Sequence, residues 1–190
     1  MILPGILPFA RQLLASALQP GDTAVDGTAG NGHDTLFLAE LAGNSGRVYA
    51  FDIQAEAIEN TRRLLQAKDQ LSQVSLFQIG HEQAASVIPP EEFSNVKAAV
   101  FNLGYLPGSD KSITTHSEST LAAVKILLDR MPAGGLIVLV IYHGHVEGRQ
   151  EKQAVEAYAE SLDQKKVQVL RYGFINQVNR PPFIIALEKK

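Results

Sequence analysis

The chain has 190 residues, 45% of them apolar and 19% charged, with a formal net charge of −3 and no cysteine. That is one ordinary domain with enough apolar material for a core, so disorder is not expected. Disulfide scaffolds, thiolate metal sites, iron–sulfur clusters and cysteine nucleophiles are excluded, and no apolar run approaches the roughly 18–20 residues that span a bilayer. The charge is uneven. Residues 1–100 carry 6 Lys and Arg against 11 Asp and Glu, whereas residues 141–190 carry 8 against 6. A polyanionic partner would meet the C-terminal half.

The N-terminus, Met1-Ile2-Leu3-Pro4-Gly5-Ile6-Leu7-Pro8, is apolar but broken by prolines. It lacks a basic residue ahead of the apolar stretch, so it makes a poor signal peptide, and a cytoplasmic location is expected. Ile6 to Leu18 has a near-3.6 apolar period and reads as a helix. Thr23 to Asp26 reads as a short buried strand running into a glycine-rich turn. Helix is expected from His33 to Leu41, strand from Arg47 to Asp52, helix from Gln54 to Lys68 and strand from Val74 to Ile79. A short helix over Glu82 to Ile88 ends at Pro89-Pro90, and a fourth strand covers Val96 to Phe101. Ser117 to Met131 is helical, and Leu136 to Tyr142 is the most apolar run, read as a central strand. Arg149 to Ser161 is helical. Val167 to Tyr172 and Phe183 to Leu187 have no helix between them and read as an antiparallel pair. Strands alternating with helices predict an α/β fold: a mostly parallel seven-stranded sheet, helices on both faces and an antiparallel last strand. Ligands of such sheets bind beyond the carboxyl ends of the strands.

Asp26-Gly27-Thr28-Ala29-Gly30-Asn31-Gly32 joins the first strand to a helix. Its glycines permit a sharp turn and close approach of a ligand. The spacing is G-x-x-G-x-G, not the G-x-G-x-x-G of a dinucleotide site, and no phosphate-binding G-x-x-x-x-G-K-[ST] is present. Asp26 before the turn and Asp34 after it disfavour a pyrophosphate and suit a cofactor carrying an ammonium and a sulfonium. Asp52, at the end of the second strand, stands where an acid accepts from ribose hydroxyls, and equally where one caps the next helix. His81 ends the third strand region and borders the expected adenine position, or simply starts a helix.

Phe101-Asn102-Leu103-Gly104-Tyr105-Leu106-Pro107-Gly108 reads as an irregular loop at the ligand edge of the sheet. A side-chain amide there can accept from a substrate N–H, and a neighbouring aromatic can stack on a base. Transfer of a methyl group to an amine needs such positioning, because the nucleophile must be neutral, desolvated and aligned. Tyr142, His143 and His145 follow the fifth strand as acceptor contacts or proton acceptors, and the residues leave Tyr105, Tyr142, His143 and His145 open as the base. His143-x-His145 has no evident third ligand, so no metal is expected. Asp110, Lys111 and Thr114 are placed to order the preceding loop. Arg149, Lys152 and Arg180 are placed to meet phosphates, or are solvated surface charge.

The segment Asp26–Thr35 together with Asn102-Leu103-Gly104-Tyr105-Leu106-Pro107-Gly108 resembles the bacterial YtqB-like methyltransferases, which include the tRNA-modifying MnmM enzyme. The likeness extends to Tyr142-His143-Gly144-His145 and Asn179-Arg180-Pro181-Pro182-Phe183. It implies a Rossmann-like class I fold and S-adenosylmethionine as cofactor, with S-adenosylhomocysteine as product. The substrate implied is tRNA at its anticodon region, the 5-aminomethyl group of wobble 2-thiouridine becoming methylaminomethyl. An rRNA or small-amine acceptor is the alternative. By position, Asp26, Gly27, Thr28, Gly30, Asn31, Gly32 and Asp34 would serve the methionine end. Asp52, Ile53 and Gln54 would hold the ribose region, and His81 would lie near the adenine. Asn102 would touch both cofactor and acceptor, with Leu103, Tyr105, Tyr142 and His143 around the transfer. Two departures stand out. Gly27 replaces an alanine common there, a change expected to be harmless. Asn102-Leu103-Gly104-Tyr105 replaces Asn-Pro-Pro-Tyr, which predicts a less rigid loop. A homodimer is a further expectation, from the apolar N-terminus and the exposed edge strands of the sheet.

Overall fold

The computed structural model describes residues 2–104, 115–144, 146–178 and 181–190. Helix α1 (Ile6–Ala17) precedes β1 (Thr23–Asp26), and α2 (His33–Ala42), β2 (Arg47–Phe51), α3 (Ala55–Ala67) and β3 (Val74–Phe77) follow in alternation. A 3-10 turn at His81–Gln83 leads into the single-turn α4 (Ala84–Val87), then β4 (Val96–Leu103), α5 (Ser117–Arg130), β5 (Leu136–Ile141) and α6 (Val146–Ser161). The chain ends in β6 (Val167–Tyr172) and β7 (Phe183–Lys189). These form one seven-stranded sheet in the order β3-β2-β1-β4-β5-β7-β6.

Side chains of the central strands alternate between two cores, as the two-residue period of a strand requires. Ile137, Leu139 and Ile141 of β5, with Phe183, Ile185 and Leu187 of β7, face α5 and α6. Val138 and Val140, with Ile184 and Ala186, face α1 and α2 on the other side. Both faces are therefore covered, which is why β5 reads as an unbroken apolar run and not as an alternating one. On the α1 side the floor is small: Ala24, Ala50 and Ala98 lie under Ala10, Leu14, Leu38 and Ala39.

The sequence reading places the elements well and misjudges several ends. Strand β4 continues two residues past Phe101, because Asn102 pairs with Val140 and Leu103 with Ile141 of β5. These two residues therefore belong to a strand and not to an irregular loop. Helix α6 starts at Val146, three residues before Arg149. Strand β3 stops at Phe77, short of Ile79, and β2 at Phe51, short of Asp52. The final pair is antiparallel as expected, yet β7 inserts between β5 and β6, antiparallel to both. Local pattern reports that two strands pair, and says nothing about which of them reaches the sheet.

Strands β1, β2 and β3 step outward on one side, and the chain then returns to lay β4 against the free edge of β1. The reversal opens a crevice beyond the carboxyl ends of β1 and β4, the place where open α/β sheets bind ligands. Asp26 and Asn102 stand at those ends.

Candidate active site

The turn after β1 spends its backbone donors internally. Gly27 N–H donates to Val100 O (2.9 Å), Ala29 N–H to Phe51 O (2.8 Å) and Gly32 N–H to Ala29 O (2.8 Å). Thr28 N–H donates to Asp26 Oδ1 (3.0 Å) and Gly30 N–H to Asp52 Oδ2 (2.9 Å). Five of the six N–H groups of Gly27–Gly32 are thus engaged. A pyrophosphate cradle needs such donors free and aimed at the ligand. Gly30 and Gly32 have φ of 55° and 83°, a region that side chains rarely adopt, so the turn requires glycine at both.

Gly27 is required for a different reason. A Cβ there would lie 2.2 Å from Cε1 of the buried Phe101 ring. The alanine common in relatives is therefore not harmless here, because Phe101 occupies the methyl's space.

Three carboxylates surround the turn. Asp26 is fully enclosed, and Thr35 Oγ1 donates to its Oδ2 at 2.6 Å. Its pKa is pushed up to about 7, chiefly by burial and next by the neighbouring Asp34 charge, with a smaller contribution from Asp52. Asp52 accepts Gly30 N–H on one oxygen and Gln54 N–H (3.0 Å) on the other. Each oxygen retains a lone pair for a further donor. Helix α3 begins only at Ala55, with Gln54 as its cap residue, so Asp52 closes a turn between sheet and helix and is not the cap itself. Asp34 is partly exposed and meets Arg11 at 3.3 Å and Asn102 Nδ2 at 2.7 Å.

Asn102 is the junction of the two halves. Its backbone N–H donates to Thr28 Oγ1 (2.7 Å), which ties β4 to the glycine turn. Its side-chain amide donates to Asp34 Oδ2. A carboxylate only accepts, so the amide must present its NH₂ to Asp34 and keep Oδ1 for another donor. Leu103 is fully buried in the core, and its carbonyl accepts Tyr142 N–H at 3.1 Å. Gly104 O accepts Thr115 N–H at 3.0 Å. Strand pairing thus fixes Asn102 and Leu103, and one hydrogen bond to Thr115 ties the Gly104 carbonyl.

His81 is buried, edge-on to Phe101 at 5.3 Å. Burial lowers its pKa, so the ring is neutral and its Nδ1–H donates to Gly27 O at 2.8 Å. The imidazole supports the glycine turn from beneath. Its Nε2 is buried with no hydrogen-bond partner among the described residues. Ile53 is 56% exposed beside Asp52, an apolar side chain at the rim of the crevice. Tyr142 is exposed past β5, and its pKa is raised by partial burial and by Asp34. Its phenol therefore stays protonated, which weakens it as a base. His143 lies 5.5 Å from Phe183, edge to face. Tyr105, Asp110, Lys111, Thr114, His145, Asn179 and Arg180 lie outside the described residues. Among the described residues no three His, Asp or Glu side chains are grouped to hold a metal ion.

Four supports escaped the sequence reading. Asn60 Nδ2 donates to Asn31 Oδ1 (3.1 Å), and Thr61 Oγ1 to Gly30 O (3.1 Å), both from α3. Thr35 holds Asp26, and Arg11 of α1 reaches Asp34. Thr61 alone carried a signal, as a polar residue in the apolar stripe of α3.

Sheet order, antiparallel β7, glycine turn and acid after β2 together define the class I methyltransferase fold. The structure of TrmN from Thermus thermophilus shares that fold at 20% identity (TM-score 0.65, 95% of this chain and 48% of that one). The chain belongs to the family described as "Putative rRNA methylase", which matches residues 48–188. A "putative rRNA-methylase" structure from Clostridium thermocellum is 40% identical, covers 100% of both chains and superposes with a TM-score of 0.96. A "putative methyltransferase" from Streptococcus mutans, solved in complex with SAH, is 35% identical over 99% of both chains (TM-score 0.89). Among curated proteins, a chloroplastic tRNA (mnm(5)s(2)U34)-methyltransferase from Arabidopsis thaliana is 38% identical over 181 residues, 91% of this chain. The chain spans 65% of that relative's length.

Proposed function

We propose that this protein is an S-adenosylmethionine-dependent methyltransferase that acts on tRNA. In this reading it methylates the 5-aminomethyl group of wobble 2-thiouridine in the anticodon region, giving methylaminomethyl. The observation that carries the chemistry is the pairing of Asn102 Nδ2 with Asp34 Oδ2 at 2.7 Å. It leaves the amide oxygen to accept an N–H of an amine at the ligand edge of the sheet. The 38% identical plant relative, named for that wobble nucleotide, supports the substrate. The "rRNA methylase" description and the partial likeness to a ribosomal RNA small subunit methyltransferase H of Acidovorax support the alternative less, since the latter spans only 75 residues.

The residues fit the cofactor. Bound S-adenosylmethionine supplies a methyl group on a cationic sulfur. Asp34 and Asp52, with Asp26 adding its charge only as it ionises near pH 7, make the crevice negative, which favours a sulfonium and an ammonium and opposes a diphosphate. Asp52 offers lone pairs to ribose hydroxyls, and Ile53 offers an apolar surface to a flat ring. The first turn of α2 offers backbone N–H groups to a carboxylate. Asn102 orients the amine, while Leu103, paired with Ile141 and accepting Tyr142 N–H, sets where Asn102 stands. An alkylammonium must lose a proton before it attacks, and His143 is the described side chain best suited to take one. Tyr142 then serves as a donor or stacking surface. His81 acts through the turn it supports.

Wobble nucleosides from a deletion strain test the substrate. Unmethylated 5-aminomethyl-2-thiouridine should accumulate, and its disappearance should follow addition of purified protein and S-adenosylmethionine. A wild-type nucleoside profile in that strain would reject the tRNA assignment. A cytoplasmic location and a homodimer belong to the same proposal. Ile2, Leu3 and Leu7 are exposed near the N-terminus, and Val169 and Leu170 on edge strand β6, so sedimentation tests the dimer. No helix among the described residues is long and apolar enough to cross a membrane.

A further inference from the structure

A cavity of about 350 Å³ opens beside the end of β5, lined by His143, Arg149, Lys152 and Gln153. Its size falls in the range of small-ligand sites. It starts two residues past Ile141, next to Tyr142, whose backbone is bonded to Leu103 of the transfer strand. The first turns of α6 bring Arg149, Lys152 and Gln153 to it.

We propose that this cavity is a subsite for a backbone phosphate of the RNA substrate, an inference that rests on the RNA reading above. The chemistry of the lining is one-sided: a guanidinium, an ammonium, a carboxamide and an imidazole, with no acid among the four. Arg149 is exposed and makes no ion pair among the described residues. Among the described residues Lys152 pairs with Glu156, at 3.8 Å, and that carboxylate is shared with Arg171 at 3.2 Å. The ring of Phe183 lies between these two cations, 5.8 Å from the Lys152 ammonium and 4.7 Å from the Arg171 guanidinium. Lys152 and Arg171 therefore share one carboxylate, and Arg149 stands outside that pair. Guanidinium and ammonium are the groups that bind a phosphate best.

The cavity also completes a polarity across the sheet edge. The crevice of β1 and β2 holds three carboxylates and suits a cationic methyl donor. The described side chains that line the cavity beside β5 and α6 include two cations and no acid, which suits a polyanion. The acceptor base reaches Asn102 from the α6 side, with its backbone anchored one step away.

The test is steady-state methylation of unfractionated tRNA by wild type, Arg149→Ala, Lys152→Ala, the double variant and Gln153→Lys, over a range of KCl. Each loss of a cation should raise KM for tRNA about five- to tenfold and flatten the log–log salt dependence by about 0.7. kcat at saturating tRNA and the Kd for S-adenosylhomocysteine should hold. Gln153→Lys, which adds a cation to the same cavity, should lower KM. Unchanged KM and salt slope in the double variant would overturn the proposal, as would Gln153→Lys weakening tRNA. Inorganic phosphate is titrated separately. If its binding is lost in Arg149→Ala while tRNA KM stays constant, the cavity takes a free anion and the RNA subsite is wrong. A wild-type enzyme that methylates no RNA defeats the parent reading. One that does so, with KM indifferent to all the substitutions, defeats only the subsite.

Discussion

Asn102 and Asp26 show how single side chains divide the work of this site. In the proposed reaction Asn102 orients the acceptor, and its amide is held by Asp34 in one orientation. Asn102→Ala should therefore reduce kcat by about 100-fold or more, the effect of losing alignment, while the Kd for S-adenosylhomocysteine changes little. Isothermal titration and single-turnover methylation measure the two separately. Loss of cofactor binding together with turnover would instead make Asn102 part of the cofactor cradle. Asp26 acts out of contact, by holding Thr28 and Thr35. Its folded pKa of about 7 lies above the ordinary carboxyl value near 3.8. Below pH 4 both folded and unfolded chains are protonated there. Between pH 4 and 7 the folded protein keeps a proton that the unfolded chain has released, so stability falls as pH rises. The full penalty, on the order of 4 kcal/mol, is reached above pH 7. Asp26→Asn keeps a satisfiable amide and carries no charge. Its denaturant midpoint should gain on that of wild type as pH goes from 4 to 8, and equal pH profiles for the two proteins would refute the shift.

At the scale of elements, the glycine turn is a joint between three supports. Strand β4 holds it through Val100 and Asn102, β2 through Phe51 with Asp52 just past its end, and α3 through Asn60 and Thr61. The joint is tight, because Phe101 fills the space at Gly27 and the Thr61 backbone lies 2.8 Å from a Cβ placed on Gly32. Gly27→Ala should cost about 1–3 kcal/mol by overpacking, and Phe101→Leu in the same chain should recover part of it. Thermal melts of the two single variants and the double variant read this directly. Additive losses would show that the clash is relieved by some route other than the ring. Helix α1 has a comparable attachment at the other end of the molecule. Phe9 stacks on Tyr172 at 4.0 Å, and the Tyr172 hydroxyl donates to Pro4 O at 2.7 Å. The N-terminal helix is thereby fastened to edge strand β6.

For the whole molecule, the sheet sorts charge as well as side chains. Asp26, Asp34 and Asp52 gather around the glycine turn, whereas Arg149 and Lys152 meet at the cavity beside β5 and α6. The outcome for ligand preference is specific: S-adenosylhomocysteine at 100 times its Kd should stabilise the fold by about 2.7 kcal/mol. For a chain of this length that raises Tm by roughly 5–10 °C. NAD or ATP at equal concentration should leave Tm in place, since the donors a pyrophosphate needs are already used within the turn. Scanning fluorimetry with the three ligands settles this, and a shift with NAD or ATP alone would overturn the cofactor assignment.

Much of this was legible from residue order. Composition excluded thiol and disulfide chemistry, and the alternation of apolar runs with helical periods defined an α/β sheet with both faces covered. The spacing of Asp26, the three glycines and Asp34 pointed to a cationic donor, because glycine placement and charge sign are properties of the chain itself. What remained hidden depends on atoms distant in sequence. The harm of a methyl at Gly27 comes from Phe101, 74 residues away. The rigidity of Asn102 and Leu103 comes from β5, and the anchoring of the turn from Asn60 and Thr61. The insertion of β7 between β5 and β6 is likewise a matter of which edge was open when that strand paired. Local propensity and periodicity are written in the chain, whereas steric fit, strand partners and the clustering of three carboxylates arise only when remote segments share a volume.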